Sequence, residues 1–450
     1  MKDTSRDFFS SSFGVLMALV GSAVGLGNIW RFPYMMGENG GAAFIIIYLL
    51  CAFLLSMPIM LSEFVIGRRG QMNTVGSLKA LAPGTKWHLS GYICIATVFL
   101  ILSFYSVVGG WSVNYFIKSL TFSFTGTPGT DFAGMFGREA ANGGLSIVYT
   151  LIFYAITAVI VGFGIKGGIE KSSRIMMPVL FILMLAMAIF SICLPGASEG
   201  VRYILRPDFS QVNGKTVASA MGQAFFSLSV GVGTICTYAS YVSSKENIFR
   251  CGVRTVVADT VFAIIAGCAI MPAVFAFGYD PGEGPGLVFI TLPNLFARMP
   301  AGGIIGIVFF FALIIAAFSS SISMLEVIVS FVKEKFNLSR TVSILIISLF
   351  VLVMAVLNAL SQGPLNGFRI MDKELLSFLD YVTASFMMTL GALLFVLFTG
   401  WKLGKDNYMD EMTNSGGLRI PKAVLNCSFF LIKYIVPVVI VTIAVFAIIG

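Results

Sequence analysis

Eleven apolar runs, at roughly 10–37, 41–67, 89–124, 145–164, 172–194, 214–242, 248–278, 302–336, 340–359, 375–401 and 423–449, constrain this chain more than any other feature. Each reaches the length of about 17 to 25 residues that a helix needs to cross the hydrocarbon of a bilayer. Only 11% of the residues are charged and 57% are hydrophobic, with a mean hydropathy of +0.93, against roughly 25% charged in a soluble domain. The runs predict an all-α membrane protein of eleven transmembrane helices.

Positive residues in short loops are retained on the cytoplasmic side, and here they separate by side. Nineteen Lys and Arg fall at one set of loops (Lys2, Arg6, Arg68, Arg69, Lys79, Lys86, Lys166, Lys171, Arg174, Lys245, Arg250, Arg254, Lys333, Lys335, Arg340, Lys402, Lys405, Arg419, Lys422). Eight fall at the other (Lys118, Arg138, Arg202, Arg206, Lys215, Arg298, Arg369, Lys373). This predicts a multi-pass protein of the cell (inner) membrane, with a cytoplasmic N-terminus and, after an odd number of spans, an external C-terminus. The loop bias and the attraction of a membrane surface account for the net charge of +8, so it does not point to nucleic acid. The first run continues into Arg31-Phe-Pro33 without a small-residue cleavage site, which marks a retained span and not a signal peptide.

The seven Cys are scattered without a C-x-x-C and read as small core residues. A single histidine, His88, leaves no material for H-E-x-x-H zinc chemistry or a His-based triad. Gly162-Phe-Gly-Ile-Lys-Gly167 matches G-x-G-x-x-G but follows a membrane span, not a strand of a βαβ unit. No enzyme is expected.

The first run is interrupted at Gly21-Ser-Ala-Val-Gly-Leu-Gly-Asn-Ile-Trp-Arg31 by glycines and two strongly polar side chains, Asn28 and Arg31. Irregular backbone at membrane depth is tolerated only where it is buried or lines a polar cavity, because each unpaired amide or carbonyl there costs several kcal/mol. Val24-Gly-Leu-Gly27 recurs as Val230-Gly-Val-Gly233, and each copy is followed one span later by Met-Pro, at Met57-Pro58 and Met271-Pro272. By the loop assignment the two copies run in opposite directions. Corresponding broken spans in two inverted halves point to a transporter's midplane site, whereas isolated membrane glycines usually serve helix packing. Two inverted five-helix repeats, over 8–194 and 214–402, with interrupted first and sixth helices and a last helix over 420–450, are the expected organisation.

An unwound turn bares amide N–H groups at one half-helix and carbonyls at the other, poles that suit a zwitterion. Carbonyls of Gly21, Ala23 and Val24 with side-chain oxygens of Asn28, Ser227, Asp259, Ser319 and Ser320 form an all-oxygen set, fit for Na+ and not for a transition metal. The triplet Ser319-Ser-Ser321 also allows a helix whose hydroxyls bond back to their own turn.

Gly21-x-Ala-Val-Gly-Leu-Gly-Asn-Ile-Trp-Arg-Phe-Pro33, Glu38-Asn-Gly-Gly41, Glu63-x-x-x-Gly67-Arg68, Gly110-Trp111, Gln223-Ala-Phe-Phe-Ser-Leu-Ser-Val-Gly231 and Thr237-Tyr-Ala-Ser-Tyr241 resemble the neurotransmitter:sodium symporter family over nearly the whole chain. The resemblance implies two Na+ ions. One site takes the Ala23 carbonyl, Asn28, Ser227, Asp259 and the substrate carboxylate; the other takes carbonyls of Gly21, Val24 and Ala316 with the hydroxyls of Ser319 and Ser320. It places the substrate carboxylate at amides near Leu26 and Gly27 and at the Tyr105 hydroxyl. The amine meets carbonyls of Ala23, Phe226 and Ser227 and the Ser229 hydroxyl. Gly25 stands where amine-transporting relatives carry Asp, which favours an amino acid. Asp259 and Ala263 stand where chloride-dependent relatives carry Asn and Ser, which predicts chloride independence. Val232 replaces a Phe of the leucine-type transporter and, with Ile101, Phe226, Ser323 and Met324, favours a large apolar or aromatic side chain.

The resemblance further pairs Arg31 with Asp380, directly or through water, above a lid of Phe226 and Tyr105. On the inner side it pairs Arg6 with Glu334, near Ser240 and Tyr241, although Glu334 is usually Asp and Phe9 usually Trp. Intramembrane charges need such partners; Glu63 fits either amides of the unwound sixth span or a water-linked packing role. The implied activity is sodium-coupled amino-acid symport by alternating access, with a non-transporting sensor and a gated channel as the other readings. Expected partners are the amino acid, Na+ and the lipid bilayer. A homodimer stays open, since family members often carry a twelfth span that this chain does not reach.

Overall fold

The computed structural model describes residues 8–125, 130–281 and 286–449. Thirteen helices build the bundle: α1 Ser12–Ala23, α2 Gly27–Glu38, α3 Ala42–Gly70, α4 His88–Leu120, α5 Gly143–Gly162, α6 Ile165–Ile192, α7 Gly214–Ser227, α8 Thr234–Ala239, α9 Ile248–Ala276, α10 Gly302–Phe336, α11 Arg340–Leu360, α12 Leu375–Leu403 and α13 Lys422–Val445. Shorter helices, such as Thr74–Leu81 and Lys405–Thr413, and a two-stranded hairpin pairing Arg369 with Glu374 lie in the connections.

The eleven apolar runs are not eleven long helices. Among the described residues nine helices are long and apolar enough to cross a membrane, and ten if the bent pair α1 and α2 is one span. The run at 214–242 divides into α7 of 14 residues and α8 of 6, neither long enough alone.

Both breaks have a local cause. α1 ends at Ala23, Val24 turns to extended backbone with ψ of 104°, and α2 resumes at an angle of 49°. Between α7 and α8 three residues take positive φ, Ser229 at +51°, Gly231 at +82° and Gly233 at +75°, a region that excludes continued right-handed helix. Gly231 is required twice over. A Cβ there would overlap the Met388 carbonyl on α12, and a Cβ on Gly391 would overlap the Gly231 carbonyl in return, so the unwound turn lies backbone to backbone on α12.

The amides freed by that turn are not orphaned. The buried Glu63 on α3 accepts from the N–H groups of Gly231 at 2.7 Å and Cys236 at 3.3 Å. Around the broken pairs, α10 packs along α4, α9 along α6, and α1 touches α6, α9 and α10. All seven Cys are free thiols.

Candidate functional site

The start of α2 and the broken end of α7 meet α9 in one buried polar cluster. Asn28 Nδ2 donates to Asp259 Oδ1 at 2.8 Å and to Ser227 Oγ at 2.9 Å. Ser227 Oγ in turn donates to the Asp259 carboxylate at 2.8 and 2.9 Å. All three residues are excluded from solvent. The α1 break holds itself open locally, because Asn28 Oδ1 accepts from the Gly25 amide at 3.1 Å while the Asn28 amide donates to the Gly25 carbonyl at 3.1 Å.

A carboxylate in this position is costly without partners, since hydrocarbon offers it no water. Tyr48 on α3, which the sequence did not single out, supplies one more: its hydroxyl donates to Asp259 Oδ2 at 3.0 Å. Gln223 on α7 donates through Nε2 to the Gly27 carbonyl at 3.0 Å and so ties the two broken spans together.

The second oxygen cluster joins α1 to α10. Ser319 Oγ donates to the Val24 carbonyl at 3.0 Å and to the Ala316 carbonyl at 2.8 Å. Ser320 sits one residue on, hydrogen-bonded with Tyr105 and packed so closely on Gly25 that a Cβ at residue 25 would overlap its hydroxyl. Gly21 is buried in the last turn of α1, with the Ser173 hydroxyl of α6 the nearest atom to its would-be Cβ at 3.5 Å.

Between the two clusters lies a cavity lined by Ala23, Gly25, Gly27, Ile101, Tyr105, Phe226, Ser227, Ser229, Val232, Ser320 and Met324, and also by Val98, Thr234 and Met388. One end is polar: the Leu26 amide donates to the Tyr105 hydroxyl at 3.3 Å, and Ser229 Oγ donates to the Ser22 carbonyl at 2.9 Å. The remaining wall of Val98, Ile101, Val232, Met324 and Met388 is apolar. Leu26 lines a neighbouring vestibule instead, and Ser323 turns its hydroxyl back to the Ser320 carbonyl at 2.8 Å.

Phe226 and Tyr105 also border a vestibule of about 490 Å³, which contains Arg31, Asp380, Trp30, Trp111 and Lys373. These two rings thus form the partition between vestibule and cavity. Arg31 and Asp380 line the same vestibule but make no ion pair with each other among the described residues. The Arg31 guanidinium lies over the Phe226 ring instead, 4.9 Å from its centroid.

Arg6 lies outside the described residues. Its expected partner Glu334 accepts from the backbone and side-chain nitrogens of Asn73, each at 2.7 Å. Tyr241 donates to the buried Glu326 at 2.8 Å, and Glu326 is paired with Arg340 at the head of α11. This ion pair was not foreseen from the sequence. Glu170 on α6 anchors the segment before α1: it accepts from the Ser10 amide at 2.7 Å and from the Ser10 and Ser11 hydroxyls at 2.6 and 3.1 Å.

Among the described residues no group of three His, Cys, Asp or Glu is arranged to hold a metal. The oxygens on hand are carbonyls, hydroxyls, one amide and one carboxylate, the donor types that hard cations take.

Comparison with known proteins identifies the family. The model of the sodium:neurotransmitter symporter family matches residues 6–130 and 140–450. A sodium-dependent transporter of Bacillus subtilis, YhdH, is 38% identical over 96% of each chain, and a sodium-dependent transporter of Haemophilus influenzae is 34% identical over 97% of each. The crystal structure of MhsT in complex with L-phenylalanine superposes with a TM-score of 0.91 at 39% identity, covering 98% of this chain and 99% of that one. A multi-pass membrane transporter dependent on sodium, and not an enzyme, this chain belongs to the sodium:neurotransmitter symporter family.

Proposed function

We propose that the protein carries an L-amino acid with a large apolar or aromatic side chain into the cell together with two Na+ ions, by alternating access and without chloride. The observation that carries this reading is the cavity between the two broken spans, which has the polar groups of the two breaks at one end and an apolar wall at the other. A zwitterion with a bulky side chain matches both. Gly25 leaves no room for a side-chain carboxylate beside Ser320, so the substrate brings its own. MhsT is solved with L-phenylalanine in place, a ligand of the same class.

The first Na+ falls to Ala23, Asn28, Ser227 and Asp259 with the substrate carboxylate, and the second to Gly21, Val24, Ala316, Ser319 and Ser320. Asp259 provides a fixed negative charge where it meets Asn28 and Ser227, which makes a mobile anion unnecessary. Arg31 and Asp380 then close the vestibule side over Phe226 and Tyr105. On the other side Glu334, with Tyr241, serves the cytoplasmic gate with Arg6.

In this reading α1 with α2, and α7 with α8, are each one broken span, which brings the count to eleven in two inverted five-helix repeats over 8–194 and 214–402. The N-terminus is cytoplasmic and the C-terminus external. Two Na+ entering gain about 4.6 kcal/mol per 100 mV, at roughly 2.3 per charge. Each tenfold accumulation costs about 1.4 kcal/mol, so voltage alone supports about a thousandfold gradient of a neutral substrate.

Uptake of a labelled amino-acid panel into proteoliposomes tests this, with Na+ replaced by K+ and Cl− by gluconate in separate arms. Concentrative uptake of large apolar amino acids is expected in sodium gluconate and is lost in potassium chloride. Binding without accumulation would favour a sensor, current without substrate a channel, and loss of uptake in gluconate would remove the role given to Asp259.

A further inference from the structure

Among the described residues, one of those lining the central cavity carries a buried side-chain oxygen with no hydrogen-bond partner. The Tyr105 hydroxyl is engaged by the Leu26 amide, Ser227 by Asp259, Ser229 by the Ser22 carbonyl and Ser320 by Tyr105. Thr234 lines the same cavity, and its Oγ1 is buried with no hydrogen-bond partner among the described residues.

Its place in the fold explains the deficit. A helical threonine ordinarily turns its hydroxyl back to the carbonyl four residues earlier. Thr234 is the first residue of α8, so that carbonyl belongs to Val230, inside the unwound turn that carries the positive φ angles of Ser229, Gly231 and Gly233. The preceding residue, Gly233, is set first against Thr74 of the helix Thr74–Leu81, its would-be Cβ 2.8 Å from the Thr74 hydroxyl, and then against α4, 3.4 Å from the Cβ of Cys94. That is one helical turn before the lining residue Val98. Thr234 therefore belongs to the part of the cavity walled by Val98, Val232 and Met388, away from the groups that bond Asp259.

We propose that Thr234 is a specificity-determining residue that bonds a polar hydrogen on the far edge of the substrate's ring. The substrate is then an aromatic amino acid bearing an N–H or O–H there, an indole or a phenol, in preference to a plain benzyl side chain. This rests on the reading of the cavity as the amino-acid site. A buried hydroxyl left unpaired penalises any occupant that cannot bond it, and a site built to bond a substrate O–H or N–H discriminates strongly against the analogue without one. A purely apolar wall would not separate these side chains in that way.

The test is sodium-dependent binding of L-tryptophan, L-tyrosine, L-phenylalanine and 1-methyl-L-tryptophan to the purified full-length protein and to Thr234→Val and Thr234→Ser. In the wild type, tryptophan or tyrosine or both bind more tightly than phenylalanine by roughly tenfold, the factor set by one net hydrogen bond. Methylation of the indole nitrogen identifies which source of the hydrogen is used, by abolishing the advantage if it is the indole. Thr234→Val removes the advantage while phenylalanine binding holds, and Thr234→Ser retains it. Equal affinities for tyrosine, tryptophan and phenylalanine in the wild type would overturn the inference, as would a uniform loss for all ligands in Thr234→Val. If none of the four binds in sodium, the reading of the cavity itself falls, and Thr234 with it.

Discussion

Tyr48 holds Asp259 from the side opposite Asn28: its hydroxyl donates to Oδ2 at 3.0 Å, while Asn28 Nδ2 donates to Oδ1 at 2.8 Å. The carboxylate is thereby fixed between three helical segments, α2, α3 and α9, with Ser227 of α7 bridging both of its oxygens. An anion held this way is ready for a cation without rearrangement of its own charge.

Tyr48→Phe removes one donor to that carboxylate and nothing else of the ring. A hydrogen bond to a charged group contributes about 1.5 to 3 kcal/mol. The half-saturating Na+ concentration for uptake should rise about tenfold or more, as read from initial rates over a sodium series. An unchanged sodium dependence would mean that Tyr48 only packs.

Asp259→Asn keeps the shape and removes the charge. Sodium-driven uptake in gluconate should fall by about tenfold or more, because a desolvated cation loses its fixed counter-charge. Retention of wild-type uptake in the absence of chloride would contradict the role assigned to this residue.

The unwound turn between α7 and α8 depends on Gly231. Gly231→Ala meets both a positive φ and a backbone collision with Met388 and Ala392, so it should destabilise the protein by roughly 2 kcal/mol or more. Gly222 lies within α7 with open space at its Cβ position, and Gly222→Ala should be neutral or stabilising by up to about 1 kcal/mol. Thermal unfolding in detergent separates the pair.

The buried Glu326 pairs with the half-buried Arg340, with Tyr241 as a further donor to Glu326 and the Val161 carbonyl accepting from Arg340 Nε at 2.7 Å. Arg340→Ala strands the carboxylate and should cost about 3 to 5 kcal/mol. Adding Glu326→Gln should recover part of that loss in the same unfolding assay, since the stranded charge is gone. A double variant no more stable than Arg340→Ala would place the damage elsewhere.

These residues also mark how far the sequence could be read. The apolar runs and the glycines of the first break announce themselves, because membrane length and backbone satisfaction leave few other uses for them. The family is recognisable from motifs such as Gly21 to Pro33. Tyr48 was not legible, since one tyrosine in an apolar run carries no sign of the carboxylate it meets more than two hundred positions away. Met388 lies beyond Asp380 with the π-helical turn Thr383–Met387 between them, and that extra residue per turn breaks the 3.6-residue phase by which a shared face is inferred. Arg340 was read only as a loop charge and Glu326 not at all, because pairing across the connection between α10 and α11 depends on how those helices end. The count of spans was blurred for a related reason: hydropathy sees 214–242 as one run, while the backbone divides it at three positive φ angles.

The account rests on an amino acid and Na+ being held by the same broken spans, so each must strengthen the other's binding by the same factor. The direct measurement is the affinity of the purified protein for a labelled aromatic amino acid across a Na+ series at constant ionic strength with K+, together with Na+ affinity with and without that amino acid. Amino-acid affinity that rises with Na+, with a reciprocal gain for Na+, is the predicted result. Amino-acid affinity that is the same in K+ as in Na+ would contradict it.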